Sequence, residues 1–259
     1  MVDDYFSNPE IFTAWSGWLA VFSYTAQIYC DFSGYSDMAI ASAAMLGYSL
    51  PENFNYPYFA SSVQDFWRRW HISLSTWLRE YLYIPLGGNR GSKLMMYRNL
   101  MITMLLGGLW HGANWTFVIW GGLHGGALVV NRLYSEFCAN TFQKSATPNP
   151  IGHVVATIVT FLFICLTWVF FRAESFSSAL AIVHSCVTLS SGGTEALNLQ
   201  ALVVLLVFMV FHWIRFKKAD FRLWNALSGM NFAAVYAVLF AVVMLFVPTS
   251  YTPFIYFQF

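Results

Sequence analysis

The chain is 259 residues long; 58% of them are apolar, only 10% are charged, and the formal net charge is +1. A soluble domain of this length carries about a quarter charged residues, so the composition excludes an ordinary water-soluble enzyme, and a balance so near zero excludes strong steering toward nucleic acid. Cys30, Cys138, Cys165 and Cys186 have neither a disulfide-framework nor a zinc-ligand spacing, so they read as small apolar packing residues and no metal site is expected.

In chain order, Val2, Asp3 and Asp4 are not the basic start of a signal peptide. A membrane-crossing helix needs about 20 mostly apolar residues, and residues 11–30 supply the first. Residues 35–50 are a weaker candidate, rich in Ala and Ser and carrying Asp37, the composition of a helix that faces other helices. In residues 61–83, Trp67, Trp70, Leu74, Trp77, Leu78 and Tyr81 recur at helical spacing, while Asp65, Arg68, Arg69, Arg79 and Glu80 take other faces. This predicts one amphipathic helix at the cytoplasmic interface, ended by a turn through Pro85, Gly87, Gly88 and Arg90. Further spans are expected at 94–110, 113–130 and 154–171, and a second interfacial helix at 176–189 on the outer side. Residues 199–214 and 232–247 close the series, which makes five spans, or six if the shorter of that pair counts. The fold class predicted is an all-α integral membrane protein, a single domain over 1–259 with polytopic transmembrane helices and an interfacial amphipathic helix.

Orientation follows from lysine and arginine. The loops holding Arg90, Lys93 and Arg98, then Arg132 and Lys144, then Arg215, Lys217, Lys218 and Arg222 are placed in the cytoplasm. The turn at 110–114 and the loop 172–200, whose one cation is Arg172, then face outward.

Three histidines are candidates for chemistry. His111 ends a span beside Trp110, Gly112 and Asn114; His124 lies within the next, flanked by Gly121, Gly122, Gly125 and Gly126; His71 lies beside Arg68 and Arg69. A polar group at membrane depth needs a partner or a task, and imidazole suits acid–base work near neutral pH. The other readings stay open: His124 as a hydrogen bond across a glycine-rich helix interface, His71 as a solvated interfacial residue, and Arg68 and Arg69 as contacts to anionic lipid headgroups. No Walker loop or Gly-x-Ser-x-Gly elbow is present.

Three motifs follow one another: Asp65-Phe66-Trp67-Arg68-Arg69-Trp70-His71, then Leu86-Gly87-Gly88-Asn89-Arg90, then Gly107-Gly108-Leu109-Trp110-His111-Gly112-Ala113-Asn114-Trp115. With Trp168-Val169-Phe170-Phe171-Arg172-Ala173, this series resembles the membrane-bound O-acyltransferases, most closely their bacterial alginate O-acetyltransferase branch, from about residue 29 to the C-terminus. The resemblance implies a ring of tilted helices around a tunnel. It matches the family's invariant histidine to His111 and its second histidine to His71. Members are usually longer, with further N-terminal helices, so the chain is read as the C-terminal part of the usual length.

The resemblance further implies transfer of an acetyl group from a cytoplasmic thioester, acetyl-coenzyme A or another acyl thioester, toward hydroxyls of a secreted, alginate-like polysaccharide or its carrier. No bound cofactor is expected. His111 is the expected general base, and His71 orients or gates the donor. Trp110, Asn114 and His124 shape the pocket, and Arg68 and Arg69 attract donor phosphates. Partners expected are a periplasmic acyltransferase, polysaccharide export proteins and membrane lipid, at the bacterial inner membrane. The alternatives are a transporter, a non-catalytic scaffold of an export complex, or a D-alanyl transferase acting on teichoic acid.

Overall fold

The structure, a computed structural model, describes residues 1–141, 149–198, 200–217 and 228–245. Among the described residues every regular element is helical, and the one β-type contact is an isolated bridge between Phe12 and Glu195. The chain forms two compact units, Met1–Leu205 and Leu206–Phe259.

In the first unit a short helix α1 (Val2–Ser7) precedes α2 (Ala14–Met45), which runs unbroken for 32 residues. The expected span at 11–30 and the weaker helix at 35–50 are thus one helix. Between them Asp31, Ser33 and Gly34 interrupt the apolar pattern, but none of them ends a helix, and a lone glycine costs too little to do so. The helix starts at Thr13, whose hydroxyl accepts from the Ser16 amide, and stops where Gly47 adopts φ +84°. There the Gly47 and Tyr48 amides turn back to the carbonyls of Ala44 and Ala43, a complete Schellman closure.

The expected single amphipathic helix at 61–83 is corrected more sharply. It is three pieces: α3 (Val63–Trp67), α4 (Ile72–Leu78) and a π turn (Arg79–Tyr83). Ser62 caps α3 by accepting from the Asp65 amide, but α4 begins at His71 in a left-handed conformation, φ 42°. In a continuous helix the Ile72 amide would bond to Arg68. Instead the Asn53 backbone carbonyl accepts from Ile72 at 3.0 Å, and its side-chain Oδ1 accepts from the Ser73 amide at 3.1 Å. A long-range cap thus replaces the local ladder. Part of this segment's apolar face is buried, with Phe66 and Trp70 stacked 5.6 Å apart, whereas Trp77 and Tyr81, stacked on one another, stay exposed.

The remaining helices follow the expected spans closely. They are α5 (Lys93–His111), α6 (Trp115–Thr141), α7 (Pro150–Arg172) and α8 (Phe176–Thr188). Asn149 and Ser175 cap α7 and α8 through accepted amide hydrogen bonds. The last pair is α9 (Gln200–Lys217) and, in the second unit, α10 (Gly229–Leu245), whose apolar side chains include no buried one. Among the described residues α7 and α9 are long and apolar enough to cross a membrane. The polar residues carried by α2, α5 and α6 lower their mean hydropathy, and α10 has 17 residues. Leu199, Val247, Lys144, Lys218 and Arg222 lie outside the described residues.

A glycine seam joins α5 to α6. A Cβ on Gly108 would collide with the Phe117 carbonyl oxygen, and one on Gly121 with the Met104 carbonyl oxygen. The two backbones therefore touch, as small residues permit where lipid gives no hydrophobic drive to association. Gly108→Ala is expected to destabilise the fold by about 1–3 kcal/mol through overpacking. Gly126→Ala, at a position with nothing within 4 Å of the new methyl, should leave it unchanged. Thermal denaturation in detergent checks this; equal melting of both variants would show that the seam is loose.

Candidate functional site

The seam brings the C-terminal end of α5 against the first turns of α6. His111 sits there, half-buried, its Nδ1 2.7 Å from the Gly107 carbonyl oxygen. A carbonyl can only accept, so Nδ1 carries the proton, and in the neutral ring the lone pair is on Nε2. Trp110, Trp120 and Phe171 stand edge-to-face around the imidazole at centroid distances of 5.0, 5.1 and 5.2 Å. A ring held this way can take a proton at Nε2 without turning. Trp120 is 1% exposed, and its indole N–H has no acceptor among the described residues. A polar group entering this layer would meet that donor.

His71 is brought near His111, close enough for the charge of one to bear on the other. Burial first, and that neighbouring ring second, push His71 down to about 4, so it is neutral at physiological pH. A chain of aromatic contacts links the two: Phe32 against His71 at 4.7 Å, then Phe54, Trp70, Trp168 and Phe171, which reaches His111.

The other expected site residues separate. Trp110 stays at His111 but is 59% exposed. Asn114 is exposed and spends its Oδ1 on the Thr116 amide, at 3.1 Å, capping α6. Arg69 is ion-paired with Asp65 at 2.9 Å and reaches the Asn55 carbonyl, whereas Arg68 is exposed at the rim of a cavity of about 220 Å³. That cavity is lined by Trp67, Leu78, Leu100, Thr103 and Met104, and Leu78 also packs on Gly107, the acceptor of His111. A second cavity of about 220 Å³ shares Arg79 and Tyr83 with it and adds Asn89, Asn131 and Arg132.

His124 is fully buried, with both ring nitrogens engaged. The Trp67 Nε1–H can only donate, at 3.2 Å, so Nδ1 accepts and Nε2 carries the proton. Nε2 donates to Thr167 Oγ1 at 3.1 Å, whose hydroxyl passes on to the Ile164 carbonyl at 2.8 Å. The chain ties α3, α6 and α7 together and leaves no ring valence for substrate.

Sequence reasoning missed Trp120 and Asn53. Trp120 lies in the second turn of α6, one of many aromatic residues, with nothing in its type to single it out. Asn53 lies in a loop, and its only signal is a long-range contact.

Residues 2–171 match the family model of MBOAT, the membrane-bound O-acyltransferase family. The chain is 48% identical over 210 residues to the "Probable alginate O-acetylase AlgI" of Azotobacter vinelandii, covering 79% of this chain and 40% of that protein. It is 46% identical over 209 residues to the "Peptidoglycan O-acetyltransferase" of Helicobacter pylori, covering 80% and 38%. To the "Teichoic acid D-alanyltransferase" of Bacillus subtilis it is 27% identical over 165 residues, covering 61% and 41%. The matched part is thus about two-fifths of each relative's length.

The His124 chain carries its own prediction. His124→Leu strands the Trp67 N–H and should lower stability by about 1–3 kcal/mol; His124→Gln, which can both accept and donate, should recover part of that. Tryptophan fluorescence during thermal denaturation reads the difference. A His124→Leu protein that melts like the parent while losing substrate use would return this residue to the substrate's pocket.

Proposed function

The chain belongs to the membrane-bound O-acyltransferase family, and on that premise we propose that it moves an acetyl group from a cytoplasmic thioester to hydroxyls of a polysaccharide outside the membrane, or to a carrier that serves it. The observation that carries this reading is the hydrogen bond from His111 Nδ1 to the Gly107 carbonyl. It leaves Nε2 as the basic atom, inside a layer of aromatic rings from Trp110, Trp120 and Phe171. Nε2 takes the proton of the acceptor hydroxyl as its oxygen attacks the thioester carbonyl carbon. The tetrahedral intermediate expels the thiolate, which takes the proton from His111.

Acetyl-coenzyme A or another acyl thioester is the donor in this reading. The cavities suit it: the apolar one, lined by Leu78, Leu100 and Met104, receives the thioester arm, and the other opens beside Arg79 and Arg132, each partly offset by a neighbouring carboxylate, Glu80 and Glu136. The inner cavity reaches Met104, two helical turns, roughly 10 Å along α5, before His111. His71 orients the donor near that end. Arg68 remains a phosphate contact; Arg69, already paired, serves the local fold.

Two acetylating relatives with different named polymers stand at similar identity, 48% and 46%, so the reading commits to acetyl transfer to a polysaccharide and leaves its identity open. D-alanyl transfer has weaker support at 27% identity. Completion by a periplasmic acyltransferase, coupling to export proteins and multi-pass insertion in the inner membrane belong to the same proposal.

His111→Ala and His111→Gln should each lower acetyl esters on exopolysaccharide and peptidoglycan by about a hundredfold to ten-thousandfold, with the full-length protein still present in membranes. A transporter or scaffold would tolerate both changes, and an acetylating His111→Gln protein would remove the base from the mechanism. For orientation, Lys217→Cys in a cysteine-free background should resist an impermeant thiol reagent in intact cells and react after lysis. Labelling from outside would invert the sides assigned above.

A further inference from the structure

We infer that Asn53, acting through the Ser73 hydroxyl, is a positioning residue that fixes the tautomer and backbone of His71. This goes beyond the acyl-transfer reading and rests on it for the task of His71. The deduction starts from an atom with no ambiguity. The Ser73 backbone N–H can only donate, so the Asn53 atom 3.1 Å from it is Oδ1, and the amide orientation is settled. The Ser73 hydroxyl lies 2.7 Å from that same Oδ1, which can only accept, so Ser73 spends its proton there. What Ser73 Oγ then offers to His71 Nδ1, 3.4 Å away, is a lone pair. His71 is therefore protonated at Nδ1 and basic at Nε2, the same tautomer that the Gly107 carbonyl imposes on His111.

The backbone supports the same assignment. His71 has φ 42°, a left-handed conformation that a residue with a Cβ holds only when its surroundings impose it. Asn53 imposes it by accepting from the amides of both Ile72 and Ser73, while the neighbouring Asn55 amide donates to the Arg69 carbonyl at 2.9 Å. The Asn53 Nδ2 donates toward Ser36 Oγ of α2 at 3.5 Å, so the clasp is anchored on the long helix. Without the clasp, residues 68–72 would be free to join α3 and α4 into one helix, and the His71 ring would turn away from where it now lies against Phe32.

The test uses the full-length protein in membranes, with radiolabelled acetyl-coenzyme A as donor. Ser73 is exposed, so changes there spare the core. Ser73→Ala should raise the apparent KM for the donor about fivefold, the worth of one neutral hydrogen bond, with kcat little changed. Ser73→Thr, which keeps the hydroxyl, should behave as the parent. In a His71→Ala background Ser73→Ala should add nothing, because its effect passes through the ring. Asn53→Ala should exceed Ser73→Ala, since it also releases the α4 amides. If Ser73→Ala leaves the donor KM unchanged while His71→Ala raises it, the positioning role is overturned and the acyl-transfer reading stands. An equal effect of Ser73→Ala with and without His71 would make the hydroxyl merely structural and would overturn it too. A His71→Ala protein with normal donor kinetics would sink both the task of His71 and its positioning.

Discussion

Where Gly108 meets the Phe117 carbonyl and Gly121 meets the Met104 carbonyl, two helix backbones touch with no side chain between them. In water such a contact would be one among many; in lipid, where apolar side chains gain nothing by leaving the solvent, close packing and hydrogen bonds carry the association. The positions of His111 and His124 depend on this contact. It places His111, at the end of α5, beside Trp120 on α6, and it sets α6 at the depth where His124 meets Thr167 of α7. Widening the seam would move His111 away from Trp120.

The three histidines differ in how their protons are held, and that difference sorts them. His124 has a donor-only indole on one side and a hydroxyl on the other, so it is closed. His111 and His71 are each fixed at Nδ1 by an oxygen, which makes Nε2 the basic atom in both. The identity of the partner, more than the depth of burial, separates the closed imidazole of His124 from the two whose Nε2 is the basic atom. In the proposed acyl transfer, a tautomer fixed in advance would spare the reorganisation that a freely turning ring would need.

Helical periodicity and apolar runs were enough to read α5, α7 and α8 nearly to their ends, because local ladders and caps such as Asn149 and Ser175 determine them. The motif around His111 was equally legible, since Gly107 lies four residues before it on the same helix face. The break at His71 was not. The pattern from Trp67 to Tyr81 is a helical one, and what interrupts it is an asparagine 20 residues away in sequence. Asn114 has a further task that its place in the sequence also offered: just before a helix, it caps α6. His124 could be assigned to packing only in general terms from its glycines, because Trp67 and Thr167 are far from it in the chain. The continuity of α2 was hidden by its polar middle, where Asp31, Ser33 and Asp37 suggested an interruption that the backbone does not make.

That long helix has a consequence for the surrounding membrane. At 32 residues α2 extends for about 48 Å, against a hydrocarbon core of about 30 Å. Its buried residues end at Ser36, and the turns after that point, with Asp37 and Ser42, are largely uncovered by the rest of the first unit. An upright α2 would carry roughly a dozen residues beyond the apolar slab; a steeply tilted one would draw Asp37 toward the lipid tails. Ser36 also meets Asn53 Nδ2 at 3.5 Å, so α2 touches the clasp around His71. For an α2 that crosses the bilayer, membrane thickness would then bear on the site, because the helix that thin and thick membranes tilt is the one whose Ser36 meets Asn53.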